Sequence, residues 1–303
     1  SYHDFITWRR DDFSGVTINI QNGVRNTIGS TLQHSDNEKY YFFGGSTTWG
    51  MGVDDGNTYP SLFAQTTHKK VINFGETAYI ARQSLAYLNN KIIREPMFDL
   101  SRAHVLFYDG VNDVLHRCRA ENEGLGTVRE KQIRDQLSSL TRSPPKYSFA
   151  ATFNQLQEFL VAVARKLKVF DRQNAIDNGY DCASNPEKTE KIARTLVDTW
   201  QAASNLVERH GGKFTAVLQP VAYIGNPNTS YLDLTSTSRI GLRAQYEAVY
   251  PVIKTIAEKR GFHFVDLTDI YDGCNDCYID LCHVGPQGNQ ILVSHLTKHL
   301  VND

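Results

Sequence analysis

The sequence has no excess of either charge and no long apolar run. Its 303 residues include 32 lysines and arginines against 33 aspartates and glutamates, for a formal net charge of -1. Without a basic surplus or a block of like charges, the chain is not expected to bind nucleic acid. No apolar stretch approaches the ~18 residues that predict a membrane-spanning helix. We therefore expect a globular protein with no nucleic-acid partner and no membrane span in this chain.

Cysteine is also scarce, at five residues. Cys274 and Cys277 have C-x-x-C spacing, but no second pair or H-x-x-x-H motif completes the four ligands of a zinc site, so no metal is expected. The crowding of residues 274–282 favours a disulfide from Cys274 or Cys277 to Cys282, with plain buried thiols as the alternative. Cys118 and Cys182 are expected to pair with each other. Such disulfides would place the protein in an oxidising compartment.

Five short runs rich in β-branched and aromatic residues predict strands. They span residues 40–46, 69–75, 103–110, 213–220 and 262–267. Their apolar residues are nearly continuous, which is typical of strands covered on both faces. Helical segments separate the runs, so the pattern predicts an α/β fold with a central five-stranded parallel sheet between helices.

Two regions do not fit this alternation. Residues 1–38 are polar, with a hairpin signal at Asn22–Gly23, and are interpreted as an N-terminal arm packed on a domain of residues 39–303. Residues 114–212 form a long insertion with helical segments predicted near 128–140, 151–170 and 187–210. An insertion of this length is usually a lid, a subdomain or a specificity element.

Chemically capable residues follow the predicted strands. Ser46 ends the first predicted strand, Gly75 ends the second and Asn112 follows the third, while Asp280 and His283 precede the last helix. In a doubly wound sheet the carboxyl ends of the strands share one edge, where ligands bind. We therefore expect these five residues to meet there.

Their chemistry suits acyl transfer. His283 is the predicted base that activates the Ser46 hydroxyl, and Asp280 would orient the imidazole. The N–H groups of Ser46 and Gly75 and the amide of Asn112 are predicted to form an oxyanion hole. Each residue alone also has a structural interpretation, as a turn serine, a loop glycine or a helix cap, but the combination favours a catalytic site.

The nearby carboxylates and aromatic residues have less specific interpretations. Asp109 and Asp113 would disfavour anionic substrates, and Asp113 is expected to be solvated or to cap a helix. The aromatic side chains of Trp49, Tyr59, Tyr79 and Tyr223 are interpreted either as sugar-stacking surfaces or as core.

Four sequence blocks carry a family resemblance. "GGSTTWG" (44–50), "NFGETAYIARQS" (73–84), "DGVND" (109–113) and "DLCH" (280–283) resemble the blocks of the SGNH hydrolases, also called the GDSL esterase/lipase superfamily. The match covers roughly residues 40–113 and 262–300. It implies a three-layer αβα, flavodoxin-like fold, a Ser46/Asp280/His283 triad, an oxyanion hole of Ser46, Gly75 and Asn112, and no metal or organic cofactor. The chain departs from the family pattern at Gly45, where the GDS version has aspartate.

The α/β-hydrolase fold is the competing interpretation, and two features oppose it. Its G-x-S-x-G elbow would need glycine where this chain has Thr48. Asp280 and His283 are also only three positions apart, whereas that fold carries them on distant loops.

The resemblance predicts a serine esterase for small acyl esters. Residues 8–27, "WRRDDFSGVTINIQNGVRNT", are similar to SGNH proteins of bacterial surface-polysaccharide systems. The expected substrate is therefore an O-acetyl group on a carbohydrate or polysaccharide, and the expected location is periplasmic, secreted or at the cell surface. An O-acyltransferase, a lipase or lysophospholipase, and a non-catalytic binding module are the alternatives.

Overall fold

The strands form one eight-stranded sheet and one two-stranded sheet in the computed structural model. The structure describes residues 2–3, 6–30, 38–122, 126, 138, 179–234 and 241–301. In chain order the strands are β1 (Tyr2–His3), β2 (Thr7–Trp8), β3 (Phe13–Ser14), β4 (Asn19–Gln21), β5 (Val24–Arg25), β6 (Lys39–Gly44), β7 (Lys70–Asn73), β8 (Ala103–Asp109), β9 (Lys213–Leu218) and β10 (His263–Asp266).

Helices connect the strands and cover the large sheet. They are α1 (Ser46–Trp49), α2 (Tyr59–Thr67), α3 (Ala81–Arg94), α4 (Val111–Arg117), α5 (Pro186–Arg209), α6 (Leu242–Ala257) and α7 (Pro286–Leu300), with 3-10 turns at Asp55–Asn57 and Cys182–Ser184. None of the helices in the described ranges is both long and apolar enough to cross a bilayer.

The predicted five-stranded parallel sheet is confirmed. Strands β7, β6, β8, β9 and β10 lie side by side in that order, and every neighbouring pair is parallel. With these five strands numbered along the chain, the order is 2-1-3-4-5, which is the flavodoxin-like doubly wound arrangement. The carboxyl ends of all five strands therefore lie at one edge of the sheet.

The packing of strand β6 explains why residues 40–43 are all aromatic. Tyr40 and Phe42 pack in one core cluster, with Phe63 of α2 and Leu292 of α7. Tyr41 and Phe43 lie in the opposite cluster, which includes side chains of α3, α5 and α6. Because helices cover both faces, residues 40–44 of this strand are all buried.

The N-terminal segment extends the sheet beyond the parallel strands. Strand β5 pairs with β7, and β4 and β3 follow outward, all antiparallel. The expected hairpin turn is present: Gln21 pairs with Val24, and Asn22 and Gly23 have φ angles of 53° and 66°. Two consecutive residues with positive φ are typical of the two-residue turn that asparagine and glycine favour. The division into an arm of residues 1–38 and a domain of residues 39–303 stays a prediction.

The long insertion is described in part. The helical segment predicted at 187–210 is α5, which packs against α6, α3 and β9 and so belongs to the helical layer. The segments predicted near 128–140 and 151–170 lie outside the described residues, residue 138 aside.

The disulfide predictions have a divided outcome. Cys118 and Cys182 are bonded, as expected, with Cα atoms 5.2 Å apart. The expected bond from Cys274 or Cys277 to Cys282 is wrong, because Cys274 and Cys277 bond to each other, and the buried Cys282 is in neither disulfide. A turn brings the Cα atoms of Cys274 and Cys277 to 5.8 Å, which is within disulfide range.

Candidate active site

Ser46 lies where strand β6 passes into helix α1. Gly45 is the N-cap, and Ser46 is the first residue of the helix. The Ser46 Oγ atom lies 2.6 Å from Nε2 of His283, although the two residues are 237 positions apart. Ser46 as a whole is 8% exposed, so its hydroxyl is held in a largely buried setting.

Asp280 and His283 are held together by a tight turn before helix α7. One carboxylate oxygen of Asp280, Oδ1, accepts the backbone N–H groups of Cys282 and His283 at 2.9 and 2.8 Å. The other, Oδ2, lies 2.7 Å from His283 Nδ1. The i to i+3 spacing therefore lets one carboxylate anchor both the loop and the imidazole.

The electrostatics of this turn determine the histidine tautomer. Burial raises the pKa of Asp280, but the His283 hydrogen bond and charge and the two backbone N–H groups outweigh it and lower the pKa to about 2. An ionised carboxylate only accepts, so Nδ1 of His283 carries the hydrogen. The Nε2 lone pair then faces the Ser46 hydroxyl, which is the arrangement of a general base.

Asn112 is placed beside the serine by strand β8. It is the second residue of α4, and its Nδ2 donates to the Tyr79 carbonyl at 2.8 Å. A Cβ atom at Gly45 would lie 2.5 Å from Asn112 Nδ2. The glycine that departs from the GDS pattern therefore makes room for the Asn112 amide.

Gly75 is close to helix α1, but its N–H group is already engaged. The N–H donates to Oδ1 of Asn73 at 2.9 Å. A Cβ atom at Gly75 would collide with Trp49 N and lie 2.6 Å from the Thr48 carbonyl carbon. Glycine is therefore required here by the packing of the loop on α1. The oxyanion role of its N–H stays a prediction.

A polar link that the sequence reasoning missed joins the two halves of the site. Gln219 Nε2 donates to Thr47 Oγ1 at 2.7 Å, and Thr47 Oγ1 lies 3.5 Å from the Cys282 carbonyl oxygen. Tyr250 in turn donates its hydroxyl to the Gln219 carbonyl at 2.9 Å. Gln219 directly follows strand β9, so the strand-end rule that found Ser46 would have found it as well.

Arg25 of strand β5 holds the far end of helix α1, and no sequence signal pointed to it. Its guanidinium donates to the carbonyls of Trp49, Gly50 and Val53 at 3.0, 2.6 and 2.7 Å. Its Nε also donates to Asp55 Oδ1 at 2.8 Å. The carbonyls of Trp49 and Gly50 lie at the C-terminal end of α1, where a helix leaves carbonyls without intrahelical partners, and Val53 lies in the bend that follows.

The carboxylates at the end of strand β8 and in α4 lie in the protein interior, so of the two roles expected for Asp113, solvated or capping, the structure shows the capping one. Asp113 is fully buried, pairs with Arg117 at 3.0 Å and accepts the N–H of Ala81, which begins helix α3. It therefore caps a neighbouring helix. Burial, and then the charge of Asp113, raise the pKa of Asp109 well above its usual range. These groups pack under the site and do not line a charged entrance.

The aromatic residues considered for sugar stacking are part of the core. Each is 7% exposed or less: Trp49, Tyr59, Tyr79 and Tyr223. The guanidinium carbons of Arg10 and Arg25 lie 4.1 and 4.4 Å from the centroid of the Trp49 ring. None of the four presents a ring face to a ligand.

Fold and site together define an αβα protein with a serine, a histidine and an aspartate hydrogen-bonded in series at the carboxyl edge of its sheet. Ser46, Asp280 and His283 are brought into direct contact, Asn112 lies against Gly45, and Gly75 lies against α1.

No protein-family model and no curated protein sequence matches the chain. Among solved structures it is similar to a member of the lipolytic protein G-D-S-L family from Veillonella parvula, at 12% identity and a TM-score of 0.46, over 88% of this chain and 98% of that one. A catalytic mutant of an acetylxylan esterase from Geobacillus stearothermophilus has 13% identity and a TM-score of 0.44, over 89% and 97%. A carbohydrate acetylesterase family member from Sinorhizobium meliloti has 14% identity and a TM-score of 0.42, over 88% and 97%. Likeness at this level does not extend to activity or substrate.

Proposed function

We propose that the protein is a serine esterase of the SGNH type that hydrolyses small acyl esters, with O-acetyl groups on carbohydrate as the substrate class. The proposal rests on three side chains hydrogen-bonded in series. Ser46 Oγ lies 2.6 Å from His283 Nε2, and His283 Nδ1 lies 2.7 Å from Asp280 Oδ2. This is the geometry that nucleophilic acyl transfer requires.

Acylation begins at the Ser46 hydroxyl. As Oγ attacks the ester carbonyl, its proton passes to His283 Nε2, and the C=O π bond becomes an oxyanion. Asp280, which is ionised because its pKa is about 2, stabilises the imidazolium that forms. Collapse of the tetrahedral intermediate transfers the Nε2 proton to the leaving alcohol and leaves an acyl-Ser46 ester.

The oxyanion needs donors near Ser46. The Ser46 N–H is the first of helix α1 and has no acceptor within that helix. One hydrogen of Asn112 Nδ2 is bonded to the Tyr79 carbonyl, and the amide has a second one to offer. The Gly75 N–H joins these donors when its bond to Asn73 is shared or released.

Deacylation reverses these roles with water. His283 removes a proton from water as it attacks the acyl carbon, and then returns that proton to Ser46 Oγ as the carboxylic acid leaves. The enzyme is regenerated without a cofactor in any step.

Among the described residues, few exposed apolar side chains lie next in sequence to the triad, which supports the choice of a small acyl group. Met51 follows helix α1 and Ile279 precedes Asp280; they are 37% and 48% exposed. Ile279 packs over Gly52, which brings the two segments together. Two apolar side chains match an acetyl group better than a long alkyl chain. For the alcohol part of the ester, the resemblance of residues 8–27 to surface-polysaccharide proteins supports a carbohydrate.

Hydrolysis of p-nitrophenyl acetate, butyrate and octanoate tests the proposal, together with acetate release from acetylated xylan. We expect the wild type to prefer acetate and the rate to fall with chain length. Ser46→Ala should lose essentially all turnover and all labelling by a fluorophosphonate. Ser294→Ala, which changes an exposed serine on α7, is the matched control and should behave as wild type.

Other outcomes would redirect the assignment. Fluorophosphonate labelling of Ser46 with turnover only when a sugar acceptor is supplied would indicate an acyltransferase. A preference for octanoate would indicate a lipase. Absence of both labelling and turnover in the wild type would overturn the proposal in favour of a binding module.

A further inference from the structure

Three different metal-ligating side chains meet on the turn before helix α7. One ligand atom each from Asp280, Cys282 and His283 lies within 4.8 Å of the other two. Cys282 Sγ is 3.7 Å from His283 Nδ1, and Asp280 Oδ2 is 2.7 Å from the same nitrogen. The proposed esterase chemistry uses the aspartate and the histidine but leaves the thiol without a role.

These separations are close to those of a zinc site. Usual zinc–sulfur and zinc–nitrogen bond lengths put tetrahedral S and N ligands about 3.6 Å apart, and N and O ligands about 3.4 Å apart. The observed sulfur–nitrogen distance of 3.7 Å already fits. The nitrogen–oxygen pair would have to open from 2.7 Å by about 0.7 Å.

The turn also supplies the outer support that metal ligands need. Asp280 Oδ1 is held by two backbone N–H groups, which fixes the carboxylate and leaves Oδ2 as the ligand oxygen. The Asp280 side chain is 34% exposed, which gives a cation a route in and leaves a fourth position for water.

We propose that Asp280, Cys282 and His283 bind a soft divalent cation of the zinc class, and that its binding switches the esterase off. Binding depends only on the three ligands, whereas the inhibitory effect rests on the proposed function. Thiolate and carboxylate together neutralise the charge of the cation.

The inhibition follows from the proton balance. On binding, the Cys282 thiol loses its proton to solvent and becomes the thiolate ligand. The metal takes the place of the hydrogen on His283 Nδ1, and the neutral imidazole carries its one hydrogen on Nε2 instead. Nε2 then faces Ser46 as a donor and has no lone pair with which to accept the serine proton.

Cobalt(II) reports the site independently of activity. All other cysteines are in disulfides, so any thiolate–cobalt absorption must come from Cys282. We expect Co²⁺ added without thiol reductants to give this charge-transfer band with the wild type and with Ser46→Ala. Cys282→Ala should give no band. Cys282→Ser, which preserves size, is a second variant should the alanine protein not fold.

Zinc inhibition of p-nitrophenyl acetate hydrolysis gives the functional readout. Inhibition is expressed relative to each protein's own rate without metal. The Zn²⁺ concentration for half-inhibition should be at least tenfold higher for Cys282→Ala than for the wild type. A chelator should restore the wild-type rate. A wild type without a cobalt band, or a band that survives in Cys282→Ala, overturns the proposal. A band from a protein without esterase activity overturns the proposed function and leaves the metal site standing.

Discussion

Asn112 is the residue at which the proposed oxyanion hole can be tested most directly. Asn112→Ala removes a donor that lies beside Gly45, and should lower kcat for p-nitrophenyl acetate about 100-fold because one such donor is worth about 3 kcal/mol in the transition state. KM should change little, since the charge develops only as the carbonyl is attacked.

A control for this variant is Asn122→Ala. The Asn122 amide also donates to a backbone carbonyl, that of His116, and should leave kcat near the wild-type value. Equal kcat for Asn112→Ala and wild type would remove Asn112 from the proposed hole.

Residues of the site differ in how visible they were in the sequence. Ser46, Asn112 and the Asp280/His283 pair follow from one rule, because chemically capable residues next to strand ends share an edge in a parallel sheet. The engagement of the Gly75 N–H by Asn73 could not be predicted, since it depends on the exact orientation of one loop. The close approach of Asn112 that explains Gly45 is likewise a contact between distant segments.

At the scale of elements, helix α1 depends on the N-terminal hairpin. Arg25→Ala would remove a donor from the carbonyls of Trp49, Gly50 and Val53 and leave the buried Asp55 carboxylate without its arginine partner. Breaking a buried pair in this way typically costs about 3–5 kcal/mol. We expect a loss of that size in the free energy of unfolding, measured with urea, and a lower kcat because α1 carries Ser46.

Arg25→Lys should recover only part of the loss, since an ammonium group lacks the planar fork that serves several acceptors at once. Arg194→Ala removes an exposed arginine paired with Glu190 on α5 and should cost less than about 1 kcal/mol. A free energy of unfolding for Arg25→Ala within about 1 kcal/mol of the wild-type value would show that the hairpin does not hold α1.

The elements themselves were largely predictable, and their partners were not. Apolar runs bounded by turns identified the five parallel strands, and Asn22–Gly23 identified the hairpin. The sequence has no feature that places this hairpin on the free edge of β7, because pairing there involves only Arg25 with Asn73. The contacts of Arg25 depend on that placement and were missed with it.

At the scale of the whole molecule, a buried histidine makes stability depend on pH. Burial, followed by the charges of Lys213 and His263, lowers the pKa of His104 to about 3. The ring stacks on Tyr40, and Nε2 lies 2.8 Å from Thr215 Oγ1. An unfolded histidine takes up its proton near pH ~6.5. The unfolded chain therefore binds more protons than the folded one between these values, and stability falls as the pH drops below about 6.5.

His104→Gln should flatten this dependence. Between pH 7 and pH 5 the wild type is expected to lose about 2 kcal/mol more of its unfolding free energy than the variant. Urea unfolding curves at pH 7, 6 and 5 measure the difference. Parallel pH profiles for the two proteins would show that His104 titrates alike in the folded and unfolded states.

The disulfide between Cys118 and Cys182 affects how the chain tolerates cleavage or a change of length between these residues. The bond closes 64 positions of sequence, and just inside it the Ala120 N–H donates to the Gly179 carbonyl at 2.9 Å. The disulfide and this hydrogen bond therefore hold residues 118–120 and 179–182 together, whatever the length of chain between them. A protease cut between 123 and 178 would leave two fragments that still migrate as one molecule until a reductant is added. The same bond would keep Cys118 and Cys182 adjacent if the length of that segment changed.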